Sequence, residues 1–209
     1  MYLTPKELMR RFEEENPLLL SCCGTLWDIY NVLKTCYEDG GKLLLCGNGG
    51  SAADCDHITG ELMKGFLLRR PIPETFAKHP KLKGEGELLQ GALPAISLVA
   101  QSALSTAYTN DVDPLMVYAQ QIYGLGKAGD VLLGISTSGN AENVCSALRV
   151  AGALGMKTIG FTGESGGHMR ELCDLCLCVP ATETYRIQEF HLPAYHTLCA
   201  MIEAAFFDS

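Results

Sequence analysis

The stretch KLLLCGNGGS, residues 42–51, decides the fold, because a short apolar run leads directly into a glycine-rich turn. The continuous apolar character of Lys42–Cys46 is typical of a strand buried on both faces of a parallel sheet. The same arrangement returns in VLLGISTSGN, residues 131–140, where the turn carries hydroxyl groups. Two strand–turn–helix units of this kind predict an α/β protein.

Working outward from these units, strands and helices alternate along the chain. The predicted strands are Lys42–Cys46, Ala95–Val99, Val131–Ile135, Lys157–Phe161 and Asp174–Val179. The predicted helices are Ala52–Leu62, Asp113–Gly124, Ala141–Leu154, a short one within Gly166–Leu172, and Tyr185–Phe207. Right-handed crossovers between such strands give a three-layer α/β/α sandwich with a central parallel sheet, of the flavodoxin-like or Rossmann-like kind. Ligands in these sheets bind beyond the carboxyl ends of the strands.

Two segments lie outside this alternation. The first forty residues predict an N-terminal helical arm, with a cap at Thr4-Pro5 and a second helix over Leu18–Glu38. Segment 67–93 is rich in proline and glycine and of mixed charge, and it is long for a connection in a compact domain. We interpret it as an inserted flap or loop with one helical turn at Glu85–Leu89. The whole chain, 1–209, is expected to form one domain.

The bulk composition excludes several classes of protein. The chain has 209 residues, is 47% hydrophobic and carries a formal net charge of −8. Nucleic-acid binding is therefore not expected, because a broad basic surface is lacking. No apolar stretch approaches the roughly 20 residues of a membrane span. Met1–Arg11 is charged rather than apolar, unlike a signal peptide, so we expect a cytoplasmic protein with free thiols.

The cysteines Cys173, Cys176 and Cys178 form a C-x-x-C-x-C run that could indicate a metal site. Ten cysteines are present in all, but no second pair or histidine cluster lies near this run at zinc-site spacing. The run also falls in a predicted buried strand, where cysteine serves as a small apolar residue. We therefore prefer a structural role for these cysteines.

Both glycine- and hydroxyl-rich turns suit a phosphate group. Glycine lets the backbone approach a ligand closely, and the following helix presents unpaired N–H groups and a positive dipole end. A dinucleotide site is disfavoured because residues 47–52 lack the third glycine of that fingerprint, and a P-loop is excluded because no Gly-Lys-Ser/Thr follows. The remaining alternative is that the turns are ordinary helix starts capped by Ser and Asn.

Polar side chains on two helices provide candidate catalytic groups. His57 and Glu61 are four residues apart and share one helix face. Gln188 and His196 lie on one side of the C-terminal helix, whereas His191 is off that line. The four could form a mixed nitrogen–oxygen metal site or a general acid–base set. A surface ion pair and a buried core histidine are the simpler alternatives.

Taken together, these residues resemble the phosphoheptose isomerase branch of the SIS (sugar isomerase) family. The matching stretches are LLLCGNGGSAADCDHITGEL (43–62), Asn110-Asp111, GDVLLGISTSGNAENV (129–144), IGFTGESGG (159–167) and RIQEFHLPAYH (186–196). The resemblance implies an aldose–ketose isomerase that interconverts sedoheptulose 7-phosphate and glycero-manno-heptose 7-phosphate through a cis-enediol. It also implies a homotetramer with active sites at subunit interfaces.

The resemblance assigns roles to individual residues. It implies substrate and phosphate binding by Asn48, Gly49, Gly50, Ser51, Asp111, Ser136, Thr137, Ser138 and Gln188. It implies that Glu61 and His196 are the acid–base pair, with Glu61 removing the proton next to the carbonyl. It implies one Zn²⁺ per active site, held by His57, Glu61, Gln188 and His196.

The chain also departs from the family pattern. Ala141 replaces a phosphate-contacting serine, Tyr185 stands where well-known members have an aspartate, and the 67–93 segment is longer. These departures leave the identity of the sugar open. The rival interpretations are a non-catalytic SIS protein that binds a replication initiator, a phosphosugar-sensing module, and an isomerase for another sugar phosphate.

Overall fold

A computed structural model of the chain describes residues 3–207, so the predicted domain limits at 1 and 209 lie outside the described residues. One parallel sheet contains β1 (Leu43–Gly47), β2 (Ala95–Ser97), β3 (Val131–Ile135), β4 (Lys157–Thr162) and β5 (Leu175–Cys178). The strand order is β2-β1-β3-β4-β5, which is the order of flavodoxin-like doubly wound folds. The predicted α/β/α sandwich is confirmed.

Helices cover both faces of this sheet. They are α1 (Pro5–Glu15), α2 (Cys23–Glu38), α3 (Gly50–Met63), α4 (Glu74–Ala77), α5 (Glu85–Leu88), α6 (Ser102–Asp111), α7 (Val117–Leu125), α8 (Glu142–Ala153), α9 (Met169–Leu172) and α10 (Thr184–Phe207). Short 3₁₀ segments occupy Pro17–Cys22, Leu98–Ala100 and Pro114–Met116. None of the helices among residues 3–207 combines the length and apolar character that a membrane crossing requires.

The central strands β1 and β3 are apolar throughout because both of their faces are buried. Every residue of β1 and of β3 is buried. Leu43 and Leu45 pack into the core on the side of α1, α2, α3 and α10, whereas Leu44 and Cys46 pack with α7 and α8. Side chains alternate between the two layers, as the pleat of a strand requires.

Several predicted boundaries were wrong. Leu18–Glu38 is not one helix, because Pro17–Cys22 is 3₁₀ and α2 starts at Cys23. Helix α6 was not predicted, since its sequence lacks an apolar period and, within the described chain, none of its side chains is buried. Strand β5 is an edge strand in which only Leu177 is fully buried, so its cysteines are half-buried rather than buried.

The N-terminal helix and the long connection are both anchored to α10. The predicted cap is confirmed, because Thr4 Oγ1 accepts a hydrogen bond from the Glu7 backbone N–H in a capping box. The predicted helical turn near residue 85 is confirmed as α5. At the start of the long connection, Arg70 and Glu203 form an ion pair of 2.7 Å with both side chains completely buried.

Candidate active site

The crevice beyond β1 and β3 lies where the strand order reverses. From β1 the chain passes through α3 to β2 on one side, and the remaining strands lie on the other side of β1. Ligands of doubly wound sheets bind at such a point, outside the carboxyl ends of the strands. The two predicted phosphate turns, 47–51 and 136–140, follow β1 and β3 and therefore border this crevice.

The first turn is held to the start of α8 by side-chain amides. Asn48 Nδ2 donates to Asn143 Oδ1 and Asn143 Nδ2 donates to Asn48 Oδ1, each at 2.9 Å. The Tyr118 hydroxyl donates to the Gly47 carbonyl at 2.6 Å. Neither Asn143 nor Tyr118 was identified from the sequence. Together they fix the backbone of the turn before any ligand arrives.

The helix starts at the crevice are not capped in the ordinary way. Gly49, at φ +57° and ψ −122°, precedes α3, and Ala141 precedes α8. Neither residue caps its helix with a side-chain hydrogen bond from within the described chain. The alternative of Ser and Asn caps is therefore wrong here, and α3 in particular presents first-turn N–H groups that suit an anion.

The second turn is pinned to the loop after β4. The Thr137 carbonyl accepts from Gly163 N at 3.0 Å, and Asn140 Oδ1 accepts from His168 N at 2.9 Å. Gly139 adopts φ +68°, and a Cβ there would lie 2.1 Å from the Gly166 carbonyl oxygen, so only glycine fits. Of the predicted hydroxyl residues, Ser136 is buried, Thr137 is partly buried and Ser138 is exposed. Ser51 of the first turn is buried as well.

Helices α3 and α10 bring three of the predicted side chains together. His57 Nε2 lies 3.3 Å from Glu61 Oε1 and 3.4 Å from His196 Nε2. The second oxygen of Glu61 accepts from Lys64 Nζ at 3.2 Å. Burial lowers the pKa of His196, and neighbouring His57 lowers this pKa further. A carboxylate and two imidazoles that are linked through His57 can exchange protons with a substrate or hold a cation.

Two other predicted residues lie apart from this trio. The carboxamide of Gln188 packs on Gly50, where an added Cβ would meet its Nε2 at 2.3 Å. Gln188 is eight residues from His196 on α10, which is about 12 Å of helix rise. Asp111 ends α6, is exposed, and accepts from Asn110 Nδ2 at 2.9 Å. Gln188 thus joins the phosphate turns rather than the trio of the same chain.

The trio approaches the geometry of a metal site without completing one. Within residues 3–207, no group of three or more His, Cys, Asp or Glu side chains is arranged to hold a metal ion. Even so, the separations of 3.3 and 3.4 Å match the distance of about 3.3 Å between neighbouring ligands on tetrahedral Zn²⁺. The nitrogen–oxygen donor set also suits zinc.

A phenol and a carboxyl group stand behind His57. His57 Nδ1 lies 3.0 Å from the Tyr195 hydroxyl, which donates to Asp54 Oδ1 at 3.2 Å. Sequence reasoning missed both partners, although Asp54 is three residues before His57 and so shares its helix face. Burial raises the pKa of both Asp54 and Tyr195.

Comparison with known proteins places the chain in a family. A phosphoheptose isomerase of Roseiflexus sp. is 42% identical over 199 residues, covering 95% of this chain and 87% of that protein. One of Desulfovibrio desulfuricans is 41% identical over 177 residues, covering 85% and 75% respectively. The chain belongs to the phosphoheptose isomerase family. A family model for the SIS domain also matches residues 80–163.

Solved structures of phosphoheptose isomerases share the fold. The Neisseria gonorrhoeae structure superposes with a TM-score of 0.74 at 32% identity, covering 94% of this chain and 93% of that chain. The Francisella tularensis structure gives 0.75 at 32% identity, with 92% and 94% covered. The resemblance stated from sequence motifs is thereby confirmed over nearly the whole chain.

Proposed function

We propose that this phosphoheptose isomerase family member interconverts sedoheptulose 7-phosphate and glycero-manno-heptose 7-phosphate. Family membership supports the reaction class. The observation that carries the proposal is the contact of Glu61, His57 and His196 on two helices that both begin near the phosphate turns. A non-catalytic sugar-phosphate protein has no need of a carboxylate and two imidazoles in contact.

Helices α3 and α10 set the distance between the two ends of the substrate. Gln188 packs on Gly50 at the first turn of α3, and Tyr195 contacts His57 further along, so the two helices run side by side in the same direction. Seven residues separate Gly50 from His57, which is about 10 Å of rise. An open-chain seven-carbon sugar phosphate anchored at the turns can therefore reach the trio with its carbonyl end.

The proposed chemistry moves protons between two neighbouring carbons. Glu61 removes a proton from C1 of the ketose, while His196 donates a proton to the carbonyl oxygen on C2, giving a cis-enediol. His196 then recovers the proton from the C1 hydroxyl, and Glu61 returns its proton to C2, giving the aldose. Both groups end in their starting states. Burial and the neighbouring His57 lower the pKa of His196, which makes its protonated ring a stronger acid toward the carbonyl oxygen.

We further propose one Zn²⁺ per active site, held by His57, Glu61 and His196. A bound ion would polarise the substrate carbonyl. The ligand-like separations within the trio support this proposal, whereas Gln188, expected as a fourth ligand, lies on Gly50 of the same chain. Elemental analysis of untagged protein, together with activity before and after chelation, tests it. Zinc-free protein with chelator-insensitive activity would leave only the acid–base role.

A homotetramer with interfacial active sites is proposed because of the surface around α6. None of the side chains of α6 is buried within the described chain, and Leu104, Val112, Leu115 and Tyr123 are exposed in this region. Several exposed apolar side chains in one region of the chain are what a subunit interface would cover. Sedimentation analysis of the wild type and of Leu115→Lys tests it, and a monomeric wild type would contradict it. The cytoplasmic location expected from the sequence stays a prediction.

The decisive experiment replaces Glu61 by glutamine. We expect turnover to fall by about 10²–10⁴-fold, because a general base is lost while the shape of the side chain is kept. Binding of sedoheptulose 7-phosphate, measured by calorimetry, should be retained. Deuterium incorporation from D₂O into the sugar should disappear with turnover. If wild-type protein binds the sugar phosphate but exchanges no proton, a sensing or initiator-binding role replaces the enzyme.

A further inference from the structure

A hydrogen-bonded chain of Asp54, Tyr195 and His57 lies directly behind the proposed acid–base trio. Tyr195 is 1% exposed, so water cannot easily replace its hydroxyl group. This hydroxyl lies 3.0 Å from His57 Nδ1 and donates to Asp54 Oδ1 at 3.2 Å. The rings of Tyr195 and His57 also meet edge to face, with centroids 5.5 Å apart. Each contact therefore crosses between α3 and α10.

Counting hydrogens fixes the direction of this chain. A tyrosine hydroxyl carries one hydrogen, and an ionised aspartate can only accept. Once Tyr195 donates to Asp54, its oxygen can only accept from His57. The hydrogen of the His57 ring then lies on Nδ1. Its Nε2 carries a lone pair, and this is the atom that faces Glu61 and His196.

We propose that Tyr195 and Asp54 are positioning residues that hold His57 in the Nδ1–H tautomer and aim its Nε2 lone pair at the isomerase trio. The proposal rests on the proposed function for its kinetic consequence, but not for the tautomer itself. With the opposite tautomer, an Nε2–H would donate to Glu61. That hydrogen bond would occupy the base, and the ring could no longer accept a proton or a cation at Nε2.

Tyr195→Phe tests the proposal, because it removes the hydroxyl group and keeps the ring. Tyr37→Phe is the matched control: the Tyr37 hydroxyl is buried and has no hydrogen-bond partner among residues 3–207. Long-range ¹H–¹⁵N spectra of histidine-labelled protein at about pH 8, where histidine is neutral, report the tautomer. The His57 signals are assigned by their loss in His57→Gln.

The wild type and Tyr37→Phe should show His57 protonated on Nδ1. In Tyr195→Phe the Nδ1–H signature should be lost or mixed. Turnover and Zn²⁺ affinity should each fall about 10–100-fold, the usual cost of removing a hydrogen-bond partner behind such a histidine. The Michaelis constant for the sugar phosphate should stay near the wild-type value. A wild-type His57 protonated on Nε2 would overturn the proposal.

Asp54→Ala provides an independent variant. Without its acceptor, the Tyr195 hydroxyl is free to donate to Nδ1, so the His57 hydrogen should move to Nε2. An unchanged tautomer in both Asp54→Ala and Tyr195→Phe would also overturn the proposal. If the tautomer changes as expected but the wild type isomerises no sugar phosphate, the proposed function fails while the positioning role stands.

Discussion

Two glutamates lie on either side of Arg70 and have opposite surroundings. Glu203 is completely buried, and its two oxygens accept four hydrogen bonds from Arg70 and the backbone N–H groups of residues 66–68, at 2.7–3.0 Å. Glu61 is partly exposed, and within residues 3–207 its carboxylate forms ion-pair contacts with the side chains of His57 and Lys64. Arg70 Nη2 donates to the backbone carbonyl of Glu61 at 2.8 Å.

This difference separates a structural carboxylate from a reactive one. The four donors saturate Glu203, and a saturated buried carboxylate has no lone pair left for a substrate. Glu61 keeps acceptor capacity next to two imidazoles that can exchange protons. The ion pair of Arg70 and Glu203 also ties the residues after α3 to α10, so it supports the two helices that carry Glu61 and His196.

The largest expected effect is on stability, from Glu203→Ala. Removing this carboxylate leaves the buried Arg70 unpaired and frees the backbone N–H groups of residues 66–68, so we expect a loss of about 3–5 kcal/mol in the free energy of unfolding. Glu61→Ala should cost less than about 1 kcal/mol, because its partners are partly exposed. Urea denaturation of both variants measures the difference.

A double variant, Arg70→Met with Glu203→Leu, separates the cost of an unpaired buried charge from the cost of the lost hydrogen bonds. It replaces the ion pair by apolar groups, so it should be less destabilised than Glu203→Ala although it changes more atoms. Equal losses of stability in Glu61→Ala and Glu203→Ala would contradict the comparison.

His191 of α10, unlike the partly exposed histidines of the trio, is a buried histidine, and it predicts a smaller, pH-dependent effect on stability. His191 is completely buried, donates from Nε2 to the Thr162 carbonyl at 3.3 Å, and burial lowers its pKa from 6.5 to about 4. Below pH 6.5 the unfolded chain takes up a proton that the folded protein does not. Stability is therefore lost as the pH falls from 6.5 to about 4, and no further below that.

His191→Gln sharpens this contrast. Glutamine keeps a donor for Thr162 but does not titrate, so its free energy of unfolding should lack this dependence. Between pH 7 and about pH 5 the wild type should lose about 2 kcal/mol more than the variant, at about 1.4 kcal/mol per pH unit below 6.5. Urea denaturation at both pH values gives the comparison. Parallel curves for the two proteins would show that His191 is not held neutral.

The turns could be predicted from sequence because they depend on local chemistry. In residues 42–51 and 131–140, an apolar strand followed by glycine and hydroxyl residues determines the turn and the helix after it. The parallel topology of the sheet then places both turns at the carboxyl ends of their strands. Helix α6 could not be predicted in this way, because none of its side chains is buried within the described chain and so no apolar period marks it.

The sequence predicted two separate pairs, His57 with Glu61 and Gln188 with His196, each from spacing along one helix. The contact between His57 and His196 depends instead on how α3 and α10 pack, because the two residues are 139 positions apart. The same packing placed Gln188 on Gly50 and added Tyr195 and Asp54 to the back of His57. Spacing along one helix carries no information about such contacts between helices.

The smallest expected effect concerns the phosphate turn. Tyr118→Phe removes the hydroxyl that donates to the Gly47 carbonyl at 2.6 Å and also lies 3.3 Å from Asn48 Oδ1. A net loss of about 1 kcal/mol should weaken binding of inorganic phosphate and of the sugar phosphate about fivefold. Turnover at saturation should not change, because the Tyr118 hydroxyl, carried by α7, contacts the turn and not the trio. Tyr37→Phe is the control, since the buried Tyr37 hydroxyl has no hydrogen-bond partner among residues 3–207. A fall in turnover with unchanged affinity would mean that the turns serve the reacting end of the sugar, and the division between an anchoring end and a reacting end would be wrong.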